Sequence, residues 1–270
     1  MNTINSSLQL SKQIRELCLN MVHKAKASHI GGALSCADIL AVLYNDILKI
    51  DPNNPEWAER DLFFFSKGHA CTALYATLAS KGFFPIEDLN TYSQDDSLFL
   101  SHVSHYIPGV ELSAGSLGLT LSHAIGCAIA KKHKNQDARA YCLLSDGELN
   151  EGSNWEGFLF APHHNLDNLT VIVDYNKIQS LDRVEKVMDL EPLDKKFKSF
   201  GWNTMVIDGH NHDEILSAFQ TAPNNQRPCV VIANTTKGKG VDFMEDTIKW
   251  HYKSPSEEEY NSACEQIKKM

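Results

Sequence analysis

Tyr141-Cys142-Leu143-Leu144-Ser145-Asp146-Gly147, with its counterpart Leu169-Thr170-Val171-Ile172-Val173-Asp174-Tyr175-Asn176-Lys177-Ile178-Gln179, decides the fold. Each half opens on an apolar run that reads as a strand buried on both faces and closes on a polar turn. Asp146 and Asn176 therefore stand at the carboxyl ends of two parallel strands. That edge is where open α/β sheets bind ligands. An Asp carboxylate, an Asn amide oxygen and a nearby backbone carbonyl are hard oxygen donors. They suit an octahedral Mg²⁺, or a looser Ca²⁺, that also holds phosphate oxygens. Gly147 lets the backbone approach a phosphate closely. Read alone, the same residues also fit two ordinary strand-end turns, because Asp-Gly and Asn are common turn residues.

Outward from this stretch, strands alternate with helices. Leu10, Ile14, Leu17, Met21 and Ala25 fall at helical spacing and predict a helix over about 8–27. Ser28-His29-Ile30-Gly31-Gly32 breaks it, and Ser35-Cys36-Ala37-Asp38 reads as a capping box opening a helix to about Tyr44. Leu62-Phe63-Phe64-Phe65 is a short strand, and Ser66-Lys67-Gly68-His69 turns it into a helix through Leu78. Residues 91–113 show no period and read as a long loop, a class that is commonly functional. Gly115-Ser116-Leu117-Gly118 opens a helix to about Lys132. Strands near 141–145, 169–174, 203–207 and 229–234 then alternate with helices near 151–161, 192–200 and 212–220. Ser256 caps a last helix to about Lys269. The pattern predicts an α/β fold, a parallel sheet with helices on both faces. With no repeat, low-complexity tract or linker, residues 1–270 read as one domain.

Composition narrows the function classes. The 270 residues are 43% hydrophobic, enough for one substantial core. A net charge of −9 argues against nucleic-acid binding, which needs basic patches. Lys237-Gly238-Lys239-Gly240 is short; it reads as a solvated loop or, at most, a phosphate-contacting turn. No apolar run reaches the length of about eighteen residues that marks a membrane span. Met1-Asn2-Thr3-Ile4-Asn5 lacks the basic-then-apolar pattern of a signal peptide. Seven scattered Cys without a Cys-x-x-Cys pair read as reduced thiols of a cytoplasmic protein. In that compartment Asn5-Ser6-Ser7 and Asn168-Leu169-Thr170 match a glycosylation pattern by chance.

Five of the twelve histidines fall on predicted loops: His29, His69, His102, His105 and His251. Gathered at the sheet's ligand edge, such imidazoles would do acid–base work near neutral pH; scattered, they are surface residues. His102-x-x-His105 also has the form of a metal pair, but lacks companion ligands at spacing. His23, His133, His163, His164, His210 and His212 read as surface or structural residues, and His123 as a buried structural one.

In this order the residues resemble the diphosphate-binding, N-terminal part of transketolases, and most of all the separate N-terminal subunit of a split transketolase. Ser145-Asp146-Gly147 with Tyr175-Asn176 is similar to the Gly-Asp-Gly … Asn-Asn fingerprint of thiamine-diphosphate enzymes. The remaining landmarks run from Lys24-Ala25-Lys26-Ala27-Ser28-His29-Ile30-Gly31-Gly32 through Ser66-Lys67-Gly68-His69 and Gly109-Val110-Glu111-Leu112-Ser113-Ala114-Gly115-Ser116-Leu117-Gly118. They continue through Asp189-Leu190-Glu191-Pro192-Leu193, Gly201-Trp202, Asp208-Gly209-His210 and Lys237-Gly238-Lys239-Gly240 to Trp250-His251, so the resemblance covers nearly the whole chain.

The resemblance implies a thiamine-diphosphate-binding fold, with thiamine diphosphate and Mg²⁺ (or Ca²⁺) as cofactors. Asp146 and Asn176 would ligate the metal through side chains and Ile178 through its carbonyl. Gly147 would donate its N–H to the diphosphate, and Gly115 and Leu117 would meet the aminopyrimidine. His69 and His251 would touch the diphosphate or the reacting atoms. His29, His69, His102 and His251 would orient sugar hydroxyls and shuttle protons, with His105 a substitute for His102. Glu151 would join an acidic network linking cofactor sites across the family's interface, or simply sit at a helix N-terminus. The implied reaction moves a two-carbon ketol unit from a ketose phosphate to an aldose phosphate, the cofactor supplying the carbanion chemistry. The family's pyrimidine-binding domain would follow Met270. The expected partner is therefore a separate C-terminal, pyrimidine-binding transketolase subunit, in a heterotetramer of two plus two. Rival readings are the alpha chain of a 2-oxo acid dehydrogenase, a deoxyxylulose-phosphate synthase relative, and a non-catalytic module that binds a phosphate ligand. Ser145 for Gly and Tyr175 for Asn are the features that favour the last; Ser145 is tolerable if its φ stays negative. Phosphoryl transfer lacks its Gly-x-x-x-x-Gly-Lys-Ser/Thr loop.

Overall fold

In the computed structural model, which describes residues 6–224 and 226–270, five strands form one all-parallel sheet. They are β1 (Leu62–Phe65), β2 (Ala140–Ser145), β3 (Leu169–Tyr175), β4 (Asn203–Asp208) and β5 (Cys229–Asn234), in spatial order β1-β2-β3-β5-β4. Met1 to Asn5, which carry the signal-peptide reading and part of one glycosylation match, lie outside the described residues.

The side chains of β2 and β3 are buried along their whole length, which is why both read as unbroken apolar runs. Alternate residues serve opposite faces. Tyr141, Leu143, Ile172 and Val231 join one core; Cys142, Leu144, Val171, Val173, Val230 and Ile232 join the other. The first core packs against α1 (Ser7–Ala25), α2 (Ile30–Ser35), α3 (Ala37–Val42) and α4 (Cys71–Ser80). The second packs against α5 (Thr120–His133), α6 (Gly152–His163), α7 (Val184–Val187) and α8 (Leu193–Ser199). Two more helices, α9 (His212–Thr221) and α10 (Glu257–Lys268), return to the first face. Each fully buried Val, Leu, Ile or Phe contributes about 1.5–3 kcal/mol, so the two cores are the main stabilising force.

Local signals placed most ends. Ser6 caps α1, accepting from Gln9 N at 3.3 Å, and Lys26 ends it in the left-handed region at φ 50°. Ser256 and Glu259 form the capping box expected for the last helix. The one expected at Ser35 does not form. Ser35 instead closes α2, and its hydroxyl donates to the Gly32 carbonyl at 3.0 Å and to Asp174 Oδ2 at 2.6 Å. The chain does break at His29, as expected (φ 72°), but Ile30 to Ser35 re-form a helix despite two glycines. Complete burial there outweighs their poor helix propensity. The following helix runs past Tyr44, because α3 continues into a π-helical turn at Leu43–Ile47. Residues 92–113 hold neither helix nor strand, yet are tied down where Val103 N meets the Gly68 carbonyl at 3.3 Å.

Candidate active site

Ser145 pairs with Asp174 in the β2–β3 register. Asp146 and Asn176 therefore leave adjacent strands just beyond the ladder. Between them and the loops after α1, β1 and β5 lies a cavity of about 260 Å³. One wall is Ser145, Asp146, Gly147, Asn176, Ile178 and Gln179; the other includes His29, His69, Gly115, Leu117, Lys237 and His251.

Asp146 is nearly fully buried, and its carboxylate accepts only backbone N–H groups: Gly147 at 2.7 Å and Lys177 at 2.6 Å. Burial and then the neighbouring Asp174 push its carboxyl up to about 7. Asn176 Oδ1 accepts from Ile178 N at 3.1 Å, which folds the turn that brings Ile178 to the cavity. The Gly147 N–H, expected to face a diphosphate, here points to Asp146 Oδ1. Ser145 ends β2 without a positive φ, the condition for a side chain there. Tyr175 is buried at the end of β3, and its hydroxyl donates to Glu191 Oε1 at 2.7 Å.

At the cavity, with Lys67 part of its lining, sits a buried ion pair that the sequence reading missed. Lys67, from the turn after β1, bonds to Asp174 and donates to the Gly32 carbonyl at 2.8 Å. Asp174 also accepts from Ser35 and Thr235. Burial opposes charge on both, but each partner overcomes it for the other. Lys67 stays above its ordinary pKa and Asp174 below. Lys237 was missed too, since its Gly-rich context read as a loop. It is buried, and its ammonium donates to the Ile178 carbonyl at 3.0 Å, the Gln179 carbonyl at 3.1 Å and His251 Nδ1 at 3.0 Å. Burial, then Lys67, lowers it to about 8.

The loop histidines do gather. Ring centroids of His29 lie 5.3 Å from His69, 5.0 Å from His251 and 6.1 Å from His102. Burial lowers His29 to about 4, helped by His102, and His251 to about 3, helped by Lys237. Burial also holds His69 well below its ordinary value, so all three are neutral imidazoles at pH 7. His102 stands over Gly115, its Cδ2 3.3 Å from where a Cβ on that glycine would be. His105 turns away, bonding Ser113 Oγ at 2.7 Å with its ring tilted 34° against Tyr106, so His102 is the one that joins the cluster. Among the described residues no three His, Cys, Asp or Glu side chains converge as a metal cluster. Glu151 is exposed and does not line the cavity. His123 is exposed rather than buried, its Nδ1 against the Leu119 carbonyl at 3.0 Å.

The wall fits a metal-bound diphosphate. A buried carboxylate with no cation in contact, an amide oxygen and a carbonyl oxygen make a hard donor set. The Ile178 carbonyl has a second lone pair beside the one Lys237 uses. Gln179 Nε2 is a buried donor that finds no partner among the described residues, as an anion-binding wall would leave it.

Residues 6–267 match the family model described as the transketolase, thiamine diphosphate binding domain. The chain belongs to the transketolase family. It is 39% identical to an apulose-4-phosphate transketolase subunit of Phocaeicola vulgatus, over 95% of this chain and 92% of that one. It is 41% identical to the 6-deoxy-6-sulfo-D-fructose transketolase subunit SqwG of a Clostridium species, over 95% and 94%. The solved transketolase of Campylobacter jejuni superposes with a TM-score of 0.91 at 36% identity, over 97% of this chain but 43% of that one. This transketolase chain thus matches two subunits nearly end to end and spans about two fifths of that solved chain. The match decides for transketolase over a 2-oxo acid dehydrogenase alpha chain or a deoxyxylulose-phosphate synthase relative.

Proposed function

We propose that this chain is the diphosphate-binding subunit of a split transketolase, which moves a two-carbon ketol unit from a ketose phosphate to an aldose phosphate. The observation that carries the reading is the facing of two walls across one cavity: the oxygen set of Asp146, Asn176 and Ile178, and the neutral cluster of His29, His69 and His251. Asp146, Asn176 and the Ile178 carbonyl would hold Mg²⁺, or Ca²⁺, against the diphosphate. Thiamine diphosphate, when bound, supplies the carbanion chemistry. Gly115 and Leu117 would receive its aminopyrimidine. His69 and His251 would face the diphosphate or the reacting atoms. His29 and His102 would orient sugar hydroxyls, since an imidazole ring can both donate and accept hydrogen bonds there.

A separate pyrimidine-binding subunit is proposed to complete the site, in an assembly of two plus two. Two observations support it. Relatives of matching length are named as subunits. Large apolar side chains at or near the cavity also stand in solvent: Leu119, two residues after Leu117, Leu181 (78% exposed) after Ser180, and Tyr252 (61% exposed), which lines the cavity beside His251. Such a rim calls for a covering partner. Glu151, exposed at the start of α6, would meet that interface. We place the enzyme in the carbohydrate metabolism of the cytoplasm, where seven free thiols stay reduced. Among the described residues no helix is long and apolar enough to cross a membrane.

The test is a ketol-transfer assay with xylulose 5-phosphate and ribose 5-phosphate, with and without a complementing pyrimidine-binding subunit. Activity in the mixture alone is the expected result. Enzymic rates from the single chain would refute the split. Cofactor binding without transfer in the mixture would keep the family and change the sugar.

A further inference from the structure

Glu148 lies in the 3₁₀ turn just after Asp146, and its side chain is fully buried. No Lys, Arg or His pairs with it among the described residues. Its carboxylate instead gathers donors from three segments. Gly118 N donates at 2.9 Å, Ser66 Oγ donates from the end of β1, and Ser145 N donates at 3.4 Å. A buried carboxylate without a cation is costly, so a residue serving only to fill space would be cheaper as an apolar side chain. What the carboxylate achieves is a geometric tie. Ser145 lines the cavity, and Gly118 closes the 115–118 turn, whose Gly115 and Leu117 line it too.

The 115–118 turn is built to be held. A Cβ on Gly68 would sit 2.1 Å from the Ala114 carbonyl oxygen, so the turn packs directly on the backbone after β1. Gly118 has φ +86°, a conformation that disfavours any side chain, and its carbonyl accepts from Ser153 Oγ at 2.6 Å. Glu148 supplies the remaining tether, the one that runs to the Asp146 turn. We infer that Glu148 is a positioning residue that fixes the spacing between the diphosphate end and the aminopyrimidine end of the cavity. This rests on the thiamine diphosphate reading above. It assigns Glu148 no contact with the cofactor itself.

The inference separates two ligands. Thiamine diphosphate spans both ends, whereas inorganic pyrophosphate reaches only the first. The chain, mixed with its complementing subunit in saturating Mg²⁺, is titrated with each. Glu148→Gln keeps the shape but turns an amide N–H₂ toward a backbone donor, leaving a buried group unpaired. Affinity for thiamine diphosphate should fall about tenfold, with pyrophosphate affinity within about twofold of wild type. Ser66→Ala, which leaves the carboxylate in place, should move the same ratio in the same direction by about threefold, and covers the case of a Gln variant that fails to fold. Equal losses for both ligands, or no loss for either, would show a merely structural residue and overturn the inference. A wild-type mixture that binds pyrophosphate but not thiamine diphosphate would overturn the functional reading itself, and this inference with it.

Discussion

Asp146 and Asp174 are buried carboxylates at the ends of neighbouring strands, one register step apart, and their surroundings are opposite. Asp174 has Lys67, Ser35 and Thr235 around it and is held below the ordinary carboxylate range, where it stays charged. Asp146 has two backbone N–H groups and no cation, and burial lifts it to about 7. One carboxylate is complete within the fold. The other has no paired cation among the described residues, and we propose that a metal ion supplies one. The difference between a group that holds structure and one proposed to hold a ligand lies in what surrounds each.

The largest effect should come from breaking the finished site. Asp174→Ala leaves the Lys67 ammonium buried and unpaired, and should cost about 3–5 kcal/mol in urea unfolding. A loss under about 1 kcal/mol would mean that Lys67 finds water or another partner, and the contrast would dissolve. Asp146→Ala should do the reverse. Unfolding of the ligand-free chain should be unchanged or more costly, while Mg²⁺-dependent thiamine diphosphate affinity falls at least about 100-fold, some 2.7 kcal/mol. If the variant bound cofactor normally, Asp146 would be no metal ligand. Tyr175→Phe, which frees Glu191 from its 2.7 Å bond, should cost about 1 kcal/mol of stability with little change in cofactor affinity.

A pH series should give the smallest and most diagnostic change. His29 and His251 are held at about 4 and about 3, below an ordinary 6.5, so the folded state favours their neutral forms. Their contribution is complete above pH 6.5 and is lost as pH falls from 6.5 towards 4. Asp174, held below 3.8, keeps its contribution down to that value. Asp146, raised to about 7, gains stability by protonating as pH falls through the same window, so a net loss between pH 6.5 and 4 is the histidine wall acting against it. His251→Asn should flatten that limb of the urea midpoint and leave the limb below about pH 3 as it was. An unchanged upper limb would remove His251 from the set.

Elements carried by local signals were legible from residues alone. The apolar runs before Asp146 and Asn176, the capping Ser256 and the helical spacing of Leu10 to Ala25 each point to one structure, and each formed. The glycine-bearing α2 was not legible, since its helix exists because its surroundings bury it. Ser35 looked like a cap because a cap is its commonest local use; its actual partner, Asp174, is 139 residues away. Lys67 and Lys237 were opaque for the same reason, as nothing in Ser-Lys-Gly-His or Lys-Gly-Lys-Gly says that the ammonium is buried. The choice between His102 and His105 needed the loop's path, which no period encodes.

The strand order β1-β2-β3-β5-β4 has a consequence for how the protein is made. β4 is bonded only to β5, and β5 also fills the place beside β3. A ribosome working from the amino terminus delivers β4 before anything exists for it to pair with. Until residues 229–234 emerge, the nascent chain carries an open ladder edge on β3 and an orphan strand, both invitations to wrong pairing. Lys237, which reaches back to the Ile178 and Gln179 carbonyls, follows a few residues later. The pocket is therefore finished only after β5 and Lys237 have emerged, and a chain stalled before that point has no complete place for a ligand to rescue it.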